Sequence, residues 1–149
     1  MKVSRKLCVY IGLLLMVLPW WAEVRASDRL AGPIPAQVIR VVDGDTLVVR
    51  AHIWLGQEVE TLVRLMGADT PEMKARCAAE HEKAVVAREF LADRVDGKLV
   101  QLQDVLTDKY GGRVRAKVLD ASGADLSQEL IRAGLARPYD GGQRQSWCN

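Results

Sequence analysis

The sequence predicts a mainly β protein with helices, an α+β domain built on a five-stranded OB-type barrel. Three observations lead there. Five apolar, β-branched runs stand at 37–42, 46–50, 58–66, 99–106 and 113–119. One long helical pattern at 78–95 falls between the third and fourth runs, and a short one at 126–133 follows the fifth.

The chain opens with a segment that is read apart from the fold. Lys2, Arg5 and Lys6 precede an almost wholly apolar stretch at 7–21, and Val24-Arg25-Ala26 places an aliphatic residue at −3 and a small one at −1. This is the pattern of a secretory signal peptide over 1–26, and about fifteen apolar residues is short for a membrane span. An uncleaved anchor is the alternative. The expected location is therefore exported, periplasmic or secreted, with no membrane association in the mature form. Residues 27–36, with Gly32, Pro33 and Pro35, read as a linker, and 37–149 as one domain long enough to bury a core.

Within the domain each element has a local cause. Asp43-Gly44-Asp45 separates the first two strands, and a loop containing Gly56 separates the second from the third. In the long helix Val86, Ala87, Phe90, Leu91 and Val95 recur at helical spacing. In the fifth strand Val114, Ala116 and Val118 alternate with Arg113, Arg115 and Lys117, so one face is apolar and the other carries three cations. Asp125 can cap the last helix, Gln128 holds the capping-box position, and Gly134 ends it. There is no internal repeat and no low-complexity tract.

Removing the leader changes the charge. It takes away Lys2, Arg5, Lys6, Arg25 and Glu23, so 21 basic and 19 acidic side chains become 17 and 18. The mature chain has no global positive field, and a nucleic-acid ligand would have to be held by local cations or a metal. Cys8 leaves with the leader, and Cys77 and Cys148 remain, an even number suited to an oxidising compartment. A Cys77–Cys148 disulfide is the preferred reading, tying the tail back beside Cys77; free thiols or pairing between chains are the alternatives. No Cys/His spacing suggests zinc.

Three segments carry possible chemistry, and each has a plain structural reading beside it. Asp43-Gly44-Asp45-Thr46 is a hairpin turn that could also present a carboxylate. It lacks the later ligands of an EF-hand. Arg64 stands five residues before Asp69-Thr70-Pro71-Glu72, which reads either as a helix start or as an acidic cluster on a proline turn. Asp108-Lys109-Tyr110-Gly111-Gly112-Arg113 is a strand-to-strand turn with a cation at its end.

Taken together and in this order, the three segments resemble the staphylococcal nuclease (thermonuclease) family, over about 38–136. The resemblance implies a calcium-dependent nuclease for DNA and RNA, endonucleolytic, with products ending in a 3′-phosphate. It implies Asp45, Asp69 and the Thr70 carbonyl as ligands of Ca²⁺. Glu72 is implied as general base, Arg64 and Arg113 as forked donors to the phosphate, and Lys109 and Tyr110 as contacts to the terminal phosphate and nucleotide. The chemistry asks for the same residue types, because a phosphodiester anion repels its nucleophile until charge is neutralised at phosphorus. With few cations the expected substrate is single-stranded or frayed, held over a short footprint with steep salt dependence, by a monomer.

The sequence also departs from the family pattern. Gly111-Gly112 puts one extra residue before Arg113, leaving Arg115 as the alternative, and the tail after Pro138 is short. Tyr139 only loosely matches a second base-stacking tyrosine. His52 and His81 read as surface or packing residues, Trp54 and Trp147 as packing rather than stacking groups, and Arg137 and Arg144 as solvated. The readings from other classes are a non-catalytic OB module that binds nucleic acid, and an envelope interaction domain with a vestigial site.

Overall fold

The computed structural model describes residues 28–148, so the leader expected at 1–26 lies outside the described residues. The elements run β1 (Arg29–Leu30), β2 (Ile34–Asp43), β3 (Thr46–Trp54), β4 (Gln57–Leu65), β5 (Gly67–Asp69) and α1 (Ala78–Val95). Then come β6 (Leu99–Thr107), β7 (Arg113–Leu119), α2 (Leu126–Arg132) and β8 (Arg137–Tyr139). Strands β2, β3, β4, β7 and β6 pair in turn, and β6 returns to β2, which closes a five-stranded barrel. All these pairings are antiparallel except β4 with β7. The expected OB-type barrel, with the long helix between its third and fourth strands, is the fold found.

The core arises from strand alternation. Val38, Leu47, Val49, Val63, Leu65, Leu102, Ala116 and Val118 are buried together, and α1 and α2 add Leu91, Val95, Leu126 and Leu130 to the same cluster. Alternation along β7 is as expected, with Ala116 and Val118 inside and Arg115 and Lys117 exposed. Arg94 on α1 pairs with Glu129 on α2 at 2.7 Å, tying the two helices across the core edge. Among the described residues no helix is long and apolar enough to cross a membrane.

One boundary moves. Residues 29–30 and 34–36, expected in a linker, are paired strand: β1 lies against Val105 and Leu106, and the start of β2 against Val100–Leu102. Glycine and proline look like linker composition, but Gly32 is there for closeness. At φ +81° it passes so near β6 that an added Cβ would sit 2.4 Å from the Leu102 carbonyl oxygen.

Four local features bring the polar segments together at one end of the barrel. Gly44, in the β2–β3 turn, packs so tightly that an added Cβ would meet the Ala87 and Thr70 Cβ atoms at 2.8 and 3.1 Å. The β3–β4 register sets Thr46 opposite Arg64. Strand β5 pairs with β8, Asp69 opposite Arg137, and Ser127 Oγ on α2 donates to the Met66 carbonyl at 2.7 Å just before β5. Finally, α1 begins only at Ala78, with Cys77 as its N-cap, so Thr70-Pro71-Glu72 belongs to a loop and not to a helix start. A disulfide joins Cys77 to Cys148, with Cα atoms 6.0 Å apart.

Candidate active site

The β2–β3 turn, the loop after β5 and the β6–β7 turn meet at an open cleft of about 650 Å³. Its walls include Asp43, Arg64, Glu72, Lys109, Tyr110 and Arg113. Asp45 is buried (3% exposed) behind two of the lining residues, Arg64, whose Nη2 approaches Oδ2 at 2.8 Å, and Thr46, whose hydroxyl donates to Oδ1 at 2.8 Å. The register of β3 with β4 favours this pairing, because Thr46 lies directly opposite Arg64 and Asp45 directly precedes Thr46.

Asp69, also 3% exposed, ends β5, and the buried Thr70 and partly exposed Glu72 come next on the loop. The loop is held from below by Glu80 of α1, a buried carboxylate. It accepts the Arg76 amide at 2.9 Å and the Glu72 amide at 3.4 Å. Glu80 therefore fixes the backbone from which Glu72 projects.

Arg144, expected in solvent, instead reaches into the site. Its guanidinium forms ion pairs with Asp69 and Glu72 and donates to the Thr70 carbonyl at 2.9 Å. Trp147, expected as a packing residue, donates its indole N–H to the other oxygen of Asp69 at 3.2 Å. Arg137, also expected in solvent, lies 3.7 Å from the Trp147 ring centroid and donates to the Ser146 carbonyl at 3.1 Å. Trp54, expected to pack, is instead 71% exposed. Sequence patterns do not reveal these tail contacts, because the partners of Arg144 and Trp147 lie more than seventy positions away. A signal is nonetheless present. A bond from Cys148 to Cys77 brings residue 144 within reach of residue 72.

The electrostatics show an imbalance. Asp43, Asp45, Asp69 and Glu72 gather at one place against Arg64 and Arg144, with the charge of Arg88 also acting on Asp43. Burial, and then the charge of Glu72, push the Asp43 carboxyl above its ordinary range. Burial likewise raises Asp45, outweighing the Arg64 charge and the Thr46 bond that oppose it. For Arg144, burial pulls the guanidinium down. The bond to Glu72 and the charges of Glu72 and Asp69 outweigh it and hold Arg144 above its ordinary value.

The donors available to a metal are carboxylates and a backbone carbonyl, hard oxygens that suit Ca²⁺ and not a thiophilic ion. The surplus of negative charge fits a divalent cation as well. Spacing is a separate matter. Among the described residues only Cys77, Glu80 and Cys148 bring three His, Cys, Asp or Glu donor atoms within 4.8 Å of one another, and those sulfurs are bonded to each other. Asp45, Asp69 and Glu72 stand further apart, with Arg144 bound to two of them.

At the β6–β7 turn Arg113 Nε approaches Asp108 Oδ2 at 2.6 Å, and its guanidinium carbon lies 4.9 Å from the Tyr110 ring centroid. Lys109 Nζ lies 5.1 Å from the same ring. The structure thus brings Lys109, Tyr110 and Arg113 together in the cleft that Glu72 also lines. Arg115 reaches the same cleft and is more exposed than Arg113. Tyr139 also lines it, its hydroxyl donating to the Gly142 carbonyl at 2.8 Å. His52 and His81 are exposed, and His81 Nδ1 lies 3.1 Å from the Met73 carbonyl.

Comparison with known proteins gives two findings. The sequence model of the family described as "Staphylococcal nuclease homologue" matches residues 62–146. A protein of Escherichia coli named "Uncharacterized endonuclease" is 30% identical over 134 residues, which span 88% of this chain and 73% of that protein. Its counterpart in Escherichia coli O157:H7 is similar to the same extent.

Proposed function

The chain belongs to the family of staphylococcal nuclease homologues and is a nuclease, a hydrolase of phosphodiester bonds, and from that premise we propose an exported, calcium-dependent endonuclease for DNA and RNA. One observation carries the reading. Asp69, the Thr70 carbonyl and Glu72 converge on a single cationic group at the edge of a cleft whose walls carry Arg64 and Arg113.

Asp45, Asp69 and the Thr70 carbonyl would hold Ca²⁺, which supplies a Lewis acid for a phosphoryl oxygen and a site that orients water. The rest is done by side chains. Glu72, with 43% of its side chain exposed, takes a proton from the attacking water as its oxygen bonds to phosphorus. Arg64 and Arg113 donate to the equatorial oxygens, and planar forks meet two oxygens at once where lysine meets one. Arg113 is also assigned to the departing 5′ oxygen, which leaves as a hydroxyl by taking a proton from solvent, so that the P–O5′ bond is the one broken and the phosphate stays on the 3′ side. Asp108 keeps the Arg113 guanidinium in place at 2.6 Å until substrate arrives. Tyr110, 57% exposed on the turn, offers an aromatic face to an unstacked base, which favours single-stranded or frayed substrate.

Export is supported by the leader pattern at 1–26 and by a disulfide that an oxidising compartment would preserve. The test is cleavage of a labelled single-stranded oligonucleotide by the mature protein, in calcium and in chelator, with the product ends identified. Internal cuts with 3′-phosphate ends that stop in chelator are expected. Cleavage that continues in chelator would remove the metal from the mechanism, and 3′-hydroxyl products would reverse the assignment of the leaving oxygen.

A further inference from the structure

The three groups that Arg144 grips are the Asp69 carboxylate, the Thr70 carbonyl and the Glu72 carboxylate. The first two are ligands assigned to the metal, and the third acts on its water. Trp147 takes the remaining oxygen of Asp69. Both oxygens of Asp69 are thus engaged by the tail, one of them by a guanidinium whose positive charge opposes the approach of a second cation.

The tail is placed to do this by restraints at both of its ends. Strand β8 pairs Arg137 with Asp69, and the disulfide pins Cys148 to Cys77 at the foot of the Glu72 loop. Between them Gly141 and Gly142, at φ +114° and +92°, turn the chain so that it crosses the cleft edge. A cation tethered so closely acts at high effective concentration. Without a partner the buried Asp69 carboxylate and the half-exposed Glu72 carboxylate would repel one another, and the guanidinium relieves that repulsion. It is also wide, and the donors stand too far apart to close on one small ion while it is present.

We propose that Arg144 is the resident cation of this site in the metal-free protein, and that Ca²⁺ binds by exchange with it, so that the strapped tail sets metal affinity. This rests on the reading of Asp69, Thr70 and Glu72 as a metal site. Removing the charge of Arg144 removes a competitor and tightens calcium binding. Exchange moves a guanidinium off the carboxylate that the Trp147 indole touches, which makes Trp147 a reporter.

The experiment titrates the oxidised mature protein with calcium alone, by calorimetry and by tryptophan emission in a Trp54→Phe background, for the parent and for Arg144→Gln. The expected result is a dissociation constant about tenfold or more lower in Arg144→Gln, together with a calcium-dependent change in Trp147 emission in the parent. Unchanged or weaker calcium binding by a folded Arg144→Gln protein overturns the exchange while leaving the metal site intact. If that variant does not fold, Trp147 emission in the parent decides: a shift that saturates with calcium supports exchange, and calcium binding without one overturns it. Absence of calcium binding in both proteins overturns the metal site itself, and exchange with it.

Discussion

Asp45 is held out of water by the fold and compensated by one guanidinium and one hydroxyl, and the balance runs against its charge. A carboxyl that titrates higher folded than unfolded favours the fold while protonated. That contribution is present below about pH 3.9, the unfolded aspartate value, and is lost as pH rises through the raised folded value. Asparagine keeps the shape without the charge. In chelator, Asp45→Asn and the parent should melt together near about pH 3.5 and separate toward neutrality, the variant melting higher. A variant that melts lower at pH 7 would show that the Arg64 pair outweighs burial. Arg113 and Arg115 pose a different question, because both reach the cleft and one inserted glycine precedes them. Arg113 is the better anchored, through Asp108. Arg113→Ala should lose about 10²–10³ in kcat, while Arg115→Ala should mainly weaken binding. The reverse pattern would move the catalytic role one strand step along β7.

At the level of elements, the site exists because a turn, a short strand and a loop are pressed together. Gly44 is the point of contact, set against Ala87 on α1 and Thr70 on the loop. A methyl group there has no room, since both neighbours are Cβ atoms fixed to backbone. Gly44→Ala should cost about 1–3 kcal/mol, read as a lower urea midpoint at unchanged slope, and should lower activity beyond the stability loss. Adding Ala87→Gly should recover part of it, less the helix cost of about 1 kcal/mol. Full stability in Gly44→Ala would mean that the turn sits further from α1 than described. The elements also explain what can be read from sequence. The five barrel strands and α1 are legible because alternation and helical spacing repeat over many residues. Strands β5 and β8 are not, because three residues carry no period and their pairing joins positions about seventy apart. The strand start at Ile34 is hidden for another reason, since Gly32 and Pro33 look alike in a linker and in a close crossing over β6.

For the molecule as a whole, the residues that the sequence singles out as types and spacings lie near one another: Arg64, Glu72 and Arg113 line one cleft, Asp45 pairs with Arg64, and Asp69 shares Arg144 with Glu72. The state of that cleft is not legible in the same way. A near-neutral chain gathers four carboxylates there and answers them with Arg64 and with Arg144 from its own tail, and the disulfide that seats Arg144 joins residues 71 positions apart. Cysteine pairing can be expected from sequence, but the contact it gives Arg144 emerges only in three dimensions. Fold, tail and chemistry meet in the claim that this acidic cluster is a cation site that drives phosphodiester cleavage. The most direct test is the cleavage rate of a single-stranded oligonucleotide against free calcium, for the parent and for Asp45→Asn, with melting curves showing both proteins folded. A cation site predicts a saturable calcium dependence in the parent, and in the variant a loss of at least about 10²-fold at the same calcium. A rate independent of calcium, or an Asp45→Asn curve that overlays the parent, would contradict it.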